Sequence, residues 1–255
     1  MIQWLGYLAT MQNLTHQELF DYIGEKIIKP FYELRLARLH ELKLNDVLKR
    51  KNPYLFKAKN ITTAQDFITE ILQAHMSSQE ETIFGNYLEE LAIFICSHVY
   101  GGIKSLSTGI DLDFSKEGKR YIVAIKSGPN WGNSSQIEKM KADFQRAKRV
   151  LNQNTSMTNI IAVNGCCYGK DHRPDKGDYL KLCGQAFWSF ISGDEDLYVK
   201  IIEPLGVEAK QKDEVFKEAY SQKVNLLTAQ FLSEFCSDGI IDWNKLLQFV
   251  SGQTG

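Results

Sequence analysis

The stretch "GIDLDFSKEGKRYIVAIKS" (109–127) constrains the fold of this chain more than any other. Two runs rich in aliphatic and aromatic residues flank the turn "SKEGK", a pattern that predicts a β-hairpin of strands 109–114 and 120–126. Side chains alternate between the two faces of a strand. Antiparallel pairing through the turn would therefore bring Asp111 close to Lys126.

Charged residues in strands that otherwise look like protein core point to chemistry, because aliphatic side chains pack there at lower cost. An acid and a lysine at a strand end are the minimal parts of a metal-dependent phosphodiester hydrolase. The carboxylate of Asp111 would hold Mg²⁺, and Lys126 would stabilise the charge that develops on the phosphate. Asp113 lies on the same strand face as Asp111. The alternative is an ion pair on the surface of a hairpin, which the same residue types would form.

Hydrophobic periodicity and turn residues indicate an α/β chain. The predicted elements are helices at 15–48, 62–76 and 77–102, the hairpin, a helix at about 134–151, a strand at 159–167, and mostly helical segments from 207 onward. This order predicts a single domain over 1–255, built as an α/β core flanked by helices. The core should occupy about 77–205, with an N-terminal helical segment at about 1–60 and a C-terminal helical extension at about 207–252.

Local signals mark the N-terminal region. Thr15 is a good N-cap with Glu18 three residues later, so a helix should begin there. Since that start follows Met11, either Met1 or Met11 is a candidate start of the protein. Pro30 should end or kink this first helix. Further on, "LKRKNPYLFKAKN" (48–60) is a basic stretch with interleaved aromatic residues and no acid, and it is predicted as a loop.

Composition and cysteine spacing argue against several classes of protein. With 255 residues, of which 44% are hydrophobic, the chain can bury one large core. Its five cysteines are odd in number and lack CxxC spacing, which argues against a disulfide framework or zinc knuckle and favours a reduced, cytoplasmic protein. The N-terminus predicts neither a signal peptide nor a membrane span. A net charge of −1 leaves any nucleic-acid binding to local patches.

The Asp–Lys hairpin, with a Glu-bearing helix before it and an amphipathic helix after it, resembles the PD-(D/E)xK nuclease superfamily. Four stretches resemble more closely one family of type II restriction endonucleases, the PmeII-like group. They are "NPYLFKAKNI" (52–61), "SSQEETIFGNYLEELAIFI" (77–95), "GIDLDF…YIVAIKSGPNWGNSSQ" (109–136) and "GQAFWSFISG" (184–193). The resemblance implies a restriction-endonuclease-like core, with a mixed central sheet flanked by helices and helical extensions at both ends.

The resemblance also implies roles for particular residues. Asp111 takes the place of the metal-binding acid, and Lys126 that of the catalytic lysine. Glu89, in "GNYLEE", takes the place of the helix carboxylate that helps to hold Mg²⁺ through water, and it counts among the catalytic residues. Ile125 should offer its backbone carbonyl to the metal.

This sequence departs from the superfamily pattern at one position. Two residues before the lysine, where an acid is usual, stands Ala124. One carboxylate is therefore missing from its usual strand. Three acids are candidates to replace it: Glu89 first, then Asp113, and then Glu138 on the following helix.

The loop "SGPNWGNSSQ" (127–136) is rich in hydrogen-bond donors, which suits a loop and helix start that approach phosphates or base edges. The alternative is an ordinary turn with Ser134 or Ser135 as the helix N-cap and Trp131 as a lid on the core. The candidate DNA-binding residues here are Asn130, Trp131, Asn133, Ser134, Ser135 and Gln136.

A second polar loop, "YGKDHRPDKGDY" (168–179), follows a buried strand. Its candidates for DNA binding are Lys170, His172 and Arg173, and Arg173 is the best placed for bidentate contact with guanine. His172 fits an ordinary loop equally well. The basic residues of 139–149 suit either a solvated helix face or contact with DNA.

Together these features predict a type II restriction endonuclease: Mg²⁺-dependent, sequence-specific hydrolysis of both strands of duplex DNA. A palindromic site implies a homodimer, with the segments before residue 60 and after residue 207 as dimerisation material. Such a system would include a cognate DNA methyltransferase. The alternatives are a repair or junction nuclease with the same core, or a DNA-binding protein that has lost catalysis, which Ala124 would explain.

Overall fold

The computed structural model describes residues 14–154, 159–207 and 209–253, so both candidate starts, Met1 and Met11, lie outside the described residues. The chain divides into two compact units. The first contains the described residues up to Lys26 together with Gly85–Gly206. The second contains Ile27–Phe84 and the described residues from Val207 onward. Most of the predicted N-terminal segment and nearly all of the predicted C-terminal extension therefore belong to one unit.

The first unit is built on a mixed five-stranded sheet. Its strands are β1 (Ile103–Lys104), β2 (Leu112–Lys116), β3 (Lys119–Lys126), β4 (Ile160–Cys166) and β5 (Leu180–Cys183), in that spatial order. The strands β1, β2 and β3 pair antiparallel, whereas β3, β4 and β5 pair parallel. A mixed sheet flanked by helices confirms the predicted fold class.

Helices account for most of the other described residues. They are α1 (His16–Tyr22), a π-helical stretch (Ile23–Ile28), α2 (Lys29–Glu41), α3 (Leu44–Leu48), α4 (Pro53–Ala58), α5 (Ala64–Tyr100), α6 (Ser134–Asn154), α7 (Gln185–Ser192), α8 (Leu197–Lys200), α9 (Ile202–Val207), α10 (Ala209–Phe235) and α11 (Trp243–Ser251). The capping box of Thr15 and Glu18 is present, as predicted. Pro30 lies in the first turn of α2, where its missing N–H is tolerated, and the predicted break takes the form of the π-helical stretch before it.

The prediction of separate helices at 62–76 and 77–102 was wrong, because α5 runs unbroken from Ala64 to Tyr100. The hydroxyl of Ser78 donates to the carbonyl of Ala74 within the helix, at 2.9 Å, and so does not cap a new one. Thr63 caps the start of α5, and Gly101, with φ of 65°, ends it. The predicted loop at 48–60 likewise contains α4.

The predicted hairpin is confirmed, with shifted ends. Leu112 pairs with Val123, and the strands are joined by Glu117 and Gly118, both with positive φ (52° and 72°). Two such residues form the type I′ turn that matches the twist of paired strands. Since β2 begins at Leu112, Asp111 lies just before the strand.

Strand β3 is the centre of the sheet, and its residues Tyr121–Ile125 are buried. One face packs against α6 through Met140 and Phe144. Helix α7 approaches β4 so closely that a Cβ atom at Gly165 would lie 2.2 Å from the ring of Phe187. Glycine is therefore required at the point where α7 covers the sheet.

The second unit is mainly helical. The rings of Phe67 (α5) and Phe231 (α10) stack at 4.7 Å in its core, and Trp243 (α11) meets Phe67 edge-on at 5.8 Å. A short antiparallel pair, β6 (Cys236–Ser237) and β7 (Ile240–Ile241), joins α10 to α11.

Candidate active site

The hairpin holds Asp111 against the end of β3. The Asp111 N–H donates to the carbonyl of Val123 at 2.8 Å, extending the ladder by one residue. Its carboxylate oxygen Oδ2 accepts the N–H of Ile125 at 2.6 Å and lies 3.9 Å from Nζ of Lys126. The structure therefore brings the predicted acid and the predicted lysine together.

Helix α5 brings a second carboxylate to this place. Burial raises the pKa of Glu89, and the negative charge of Asp111 raises it further, while Lys104 and Lys126 act in the opposite direction. Lys104, on β1, has its Nζ 3.6 Å from Oε1 of Glu89. The three residues predicted for catalysis, Glu89, Asp111 and Lys126, thus lie within electrostatic reach of one another.

Asp111 is also in an environment that disfavours its charged form. Burial raises its pKa, and this effect exceeds the opposing ones of the Ile125 N–H, Lys126 and Lys104. Two carboxylates that are desolvated and repel each other bind a proton or a cation more favourably than isolated ones do.

The ammonium group of Lys126 is held by three groups. It donates to the carbonyl of Ile125 at 2.8 Å, it faces Asp111, and it lies 5.4 Å from the ring centroid of Trp131. A cation over an indole face is attracted by the ring quadrupole. Because the side chain of Lys126 is 32% exposed, a molecule from solvent can reach it.

A buried amide on β4 supports this arrangement. Asn164 is 1% exposed and lies opposite Ala124 in the parallel pairing. Its Nδ2 donates to the carbonyl of Ala124 at 3.1 Å, and its Oδ1 accepts the indole N–H of Trp131 at 3.1 Å. Trp131, predicted to bind DNA, therefore has its indole N–H turned inward to Asn164. Sequence reasoning missed Asn164, although an amide inside the apolar run "IIAVNGCC" (160–167) was the available signal.

The other candidate carboxylates are engaged elsewhere. Both oxygens of Asp113 accept from the guanidinium of Arg120, at 2.9 and 2.8 Å. Glu138 has a side chain 70% exposed and pairs with Lys141 at 3.0 Å. Of the three acids proposed to replace the carboxylate missing at Ala124, the geometry favours Glu89.

The donor atoms present suit a hard divalent cation. The carboxylates of Glu89 and Asp111 and the carbonyl of Ile125 are all oxygen donors, the kind that Mg²⁺ prefers. Within the described ranges, no group of three or more His, Cys, Asp or Glu side chains gathers as a metal site. The types of donor atom, though not a gathered ligand cluster, are compatible with a hard divalent ion such as Mg²⁺.

Two loops emerge at the same edge of the sheet as Lys126. The N–H of Cys167 donates to the carbonyl of Lys126 at 2.9 Å, and that of Tyr168 to the carbonyl of Ser127 at 3.1 Å. Nζ of Lys181 donates to the carbonyl of Pro129 at 2.8 Å. These bonds tie the 127–133 loop to the base of the 168–179 loop.

Most of the predicted DNA-binding residues are exposed in these loops or in the first turn of α6. They are Asn130, Asn133, Ser134, Ser135, Gln136, Lys170, His172 and Arg173. Asn133 and Gln136 cap the start of α6 reciprocally, with two bonds of 3.0 Å, so neither Ser134 nor Ser135 is the N-cap.

The second loop is organised around Asp171. Its carboxylate accepts the N–H of Arg173 at 2.9 Å and pairs with Lys176 at 3.0 Å and Lys181 at 3.6 Å. The loop backbone is thereby fixed while the side chain of Arg173 is exposed.

A cavity of about 310 Å³ adjoins the site, with Ala124, Lys126, Trp131 and Gln136 in its wall. The missing carboxylate at position 124 would have stood in this wall. The cavity gives Lys126 open space on the side of α6.

The mixed sheet, with two carboxylates and a lysine at one edge, defines a restriction-endonuclease-like nuclease fold. The profile of the type II restriction endonuclease EcoO109I family matches residues 17–213, and the chain belongs to that family. It is therefore a restriction endonuclease, a nuclease that binds DNA. The match does not identify the PmeII-like group.

A comparison with curated proteins finds no match. In the part of the chain that the structure describes, no helix combines the length and apolar content needed to cross a bilayer.

Replacing Asn164 with Leu should release Trp131, because the indole N–H loses its acceptor and the Ala124 carbonyl loses a donor. We expect a loss of about 1–3 kcal/mol in the free energy of unfolding and greater quenching of Trp131 fluorescence by acrylamide. Comparison with a Trp131→Phe protein isolates the signal of Trp131 from the other tryptophans. Unchanged quenching would show that Asn164 does not hold the indole.

Proposed function

We propose that this protein is a Mg²⁺-dependent, site-specific deoxyribonuclease that hydrolyses a phosphodiester bond in each strand of a short duplex site. The observation that carries the proposal is the grouping of Glu89, Asp111 and Lys126 at one sheet edge in a member of a type II restriction endonuclease family. The two loops beside this edge offer exposed donors to DNA.

Glu89 and Asp111, with the carbonyl of Ile125, would hold the magnesium ion. When bound, the ion neutralises charge on the phosphate and lowers the pKa of a bound water. The N–H of Ile125 donates to Oδ2 of Asp111 at 2.6 Å and so fixes the orientation of the carboxylate. The other carboxylate oxygen, Oδ1, would then be available to bind the metal ion.

Lys126 supplies positive charge at the reacting phosphate. Its ammonium group is placed by Asp111, the Ile125 carbonyl and the face of Trp131. A donor already aimed at a developing negative charge needs no reorganisation in the transition state. Asn164 keeps Trp131 in position and so acts on the lysine indirectly.

The alanine at position 124 motivates the alternative of a protein that binds DNA without cutting it. The position of Glu89 argues against this alternative, because a second carboxylate reaches the site from α5. A repair or junction nuclease with the same core would share the centre but would not cut a plasmid into discrete fragments.

We also propose that the enzyme works as a homodimer with a cognate DNA methyltransferase. A two-fold DNA site needs two active centres related by the same symmetry. The methyltransferase would modify the same site in the host DNA and so protect that DNA from cleavage. We place the enzyme in the cytoplasm, since its five cysteines are free thiols, which suits a reducing compartment.

Lys126→Ala should lower the rate of plasmid cleavage by at least about 10²-fold, because a transition-state contact is lost. Binding of cognate DNA in Ca²⁺, measured by gel shift, should be retained. Lys119→Ala is the matched control, since Lys119 is an exposed lysine at the opposite end of the same strand. Cleavage by Lys126→Ala at the wild-type rate would place the chemistry elsewhere.

Arg173→Ala should weaken binding to the cognate site by about 1–3 kcal/mol if its side chain contacts a base edge, while binding to random DNA changes little. Arg149, exposed on α6, is the control arginine, and its replacement by Ala should affect both DNAs equally. Fluorescence anisotropy with both duplexes measures the difference. If Arg173→Ala loses equal binding free energy on the cognate and the random duplex, Arg173 contacts the DNA backbone and not a base edge.

A further inference from the structure

The second unit contains a cavity of about 370 Å³ whose lining residues take no part in the proposed active site. Arg38 of α2 contributes to its wall, as do Arg50 and Lys51, which follow α3. His75 and Gln79 of α5 complete that part of the wall, and no Asp or Glu contributes to it. Arg50 and Lys51 come from the acid-free basic stretch 48–60, which the proposed function leaves unexplained.

The cations around this cavity have no carboxylate partner in the part of the chain that the structure describes. On α2, Arg35 uses the nearby acids, with Glu80 at 2.5 Å and Asp213 at 3.5 Å. Among the described residues, neither Arg38 nor Arg50 forms an ion pair with a carboxylate. Lys51 donates to the carbonyl of Ala74, at 2.8 Å, which leaves its charge uncompensated. Positive charges gathered without acids create a local potential that attracts an anion.

The floor of the cavity is polar and neutral. His75 is 5% exposed, and its Nε2 lies 2.8 Å from Nε2 of Gln79, so the unprotonated ring nitrogen accepts from the amide. Burial lowers the pKa of His75, and the positive charges of Lys51 and Arg50 lower it further. The neutral ring fits the bond with Gln79, and Arg50 and Lys51 line the same cavity as His75.

We propose that this cavity binds a phosphate group. Arginine presents a planar fork of N–H donors that matches phosphate oxygens, and two arginines with a lysine can neutralise the charge of one phosphate. The volume exceeds the roughly 30 Å³ of a water molecule several-fold, enough for a phosphate with part of its hydration shell. The group comes either from the backbone of DNA or from a free phosphate compound.

Titration of the full-length protein with inorganic phosphate, followed by the imidazole NMR signals of His75, tests the site directly. The signals should shift saturably. Arg38→Gln and Arg50→Gln should each weaken the affinity at least about 10-fold, since each removes a charge-assisted contact. Arg38→Lys should keep part of the affinity for phosphate, because the positive charge remains. Lys43→Gln is the control, because Lys43 is exposed in the same unit and outside the cavity wall.

A second arm identifies the source of the phosphate. If a short random-sequence duplex displaces inorganic phosphate, and the salt dependence of duplex binding falls in Arg38→Gln, the ligand is the DNA backbone. If phosphate binds and the duplex does not displace it, the ligand is a free phosphate compound. The absence of saturable binding, or an equal loss in Lys43→Gln, would overturn the proposal. Circular dichroism of each variant checks its fold, and none of these measurements depends on DNA cleavage.

Discussion

The double pairing of β3 is the constraint on which the proposed active site depends. Antiparallel pairing with β2 brings the carboxylate of Asp111 within hydrogen-bonding distance of the Ile125 N–H. Parallel pairing with β4 places Asn164 opposite Ala124. A shift of register by one residue would turn every side chain of β3 to the opposite face. Lys126 would then leave both Asp111 and Trp131, so the register of one strand determines the chemistry of this edge.

Burial makes the charged forms of Glu89 and Asp111 less favourable in the folded protein. Raised pKa values of Glu89 and Asp111 mean that the folded state binds protons more tightly than the unfolded state does. Their contribution to stability is therefore present at low pH and falls as the pH rises through the folded-state pKa values. At neutral pH both carboxylates oppose folding, with Lys104 and Lys126 offsetting part of the repulsion. A divalent ion would remove that repulsion, so binding and stability are coupled.

Sequence reasoning succeeded where the signals were local. The hairpin followed from alternation and turn residues, and with it the approach of Asp111 to Lys126. The contacts of Asn164 could not be predicted from the sequence, because they depend on parallel pairing with a strand about forty residues away. The sequence leaves Asp113 a candidate ligand, because no local signal shows that Arg120 binds both of its carboxylate oxygens. Glu89 came from family resemblance, since helical periodicity alone does not show which strand a helix residue faces.

Calorimetric titration with Mg²⁺ or Mn²⁺ tests most directly the central claim that Glu89 supplies the carboxylate missing at Ala124. The account predicts that Glu89→Gln and Asp111→Asn each lower metal affinity at least about 10-fold, since each removes an oxygen donor with its charge. Glu138→Gln should bind as the wild type does, because Glu138 is exposed and paired with Lys141. Wild-type affinity in Glu89→Gln, with a loss in Glu138→Gln, would contradict the account and assign the second carboxylate to α6.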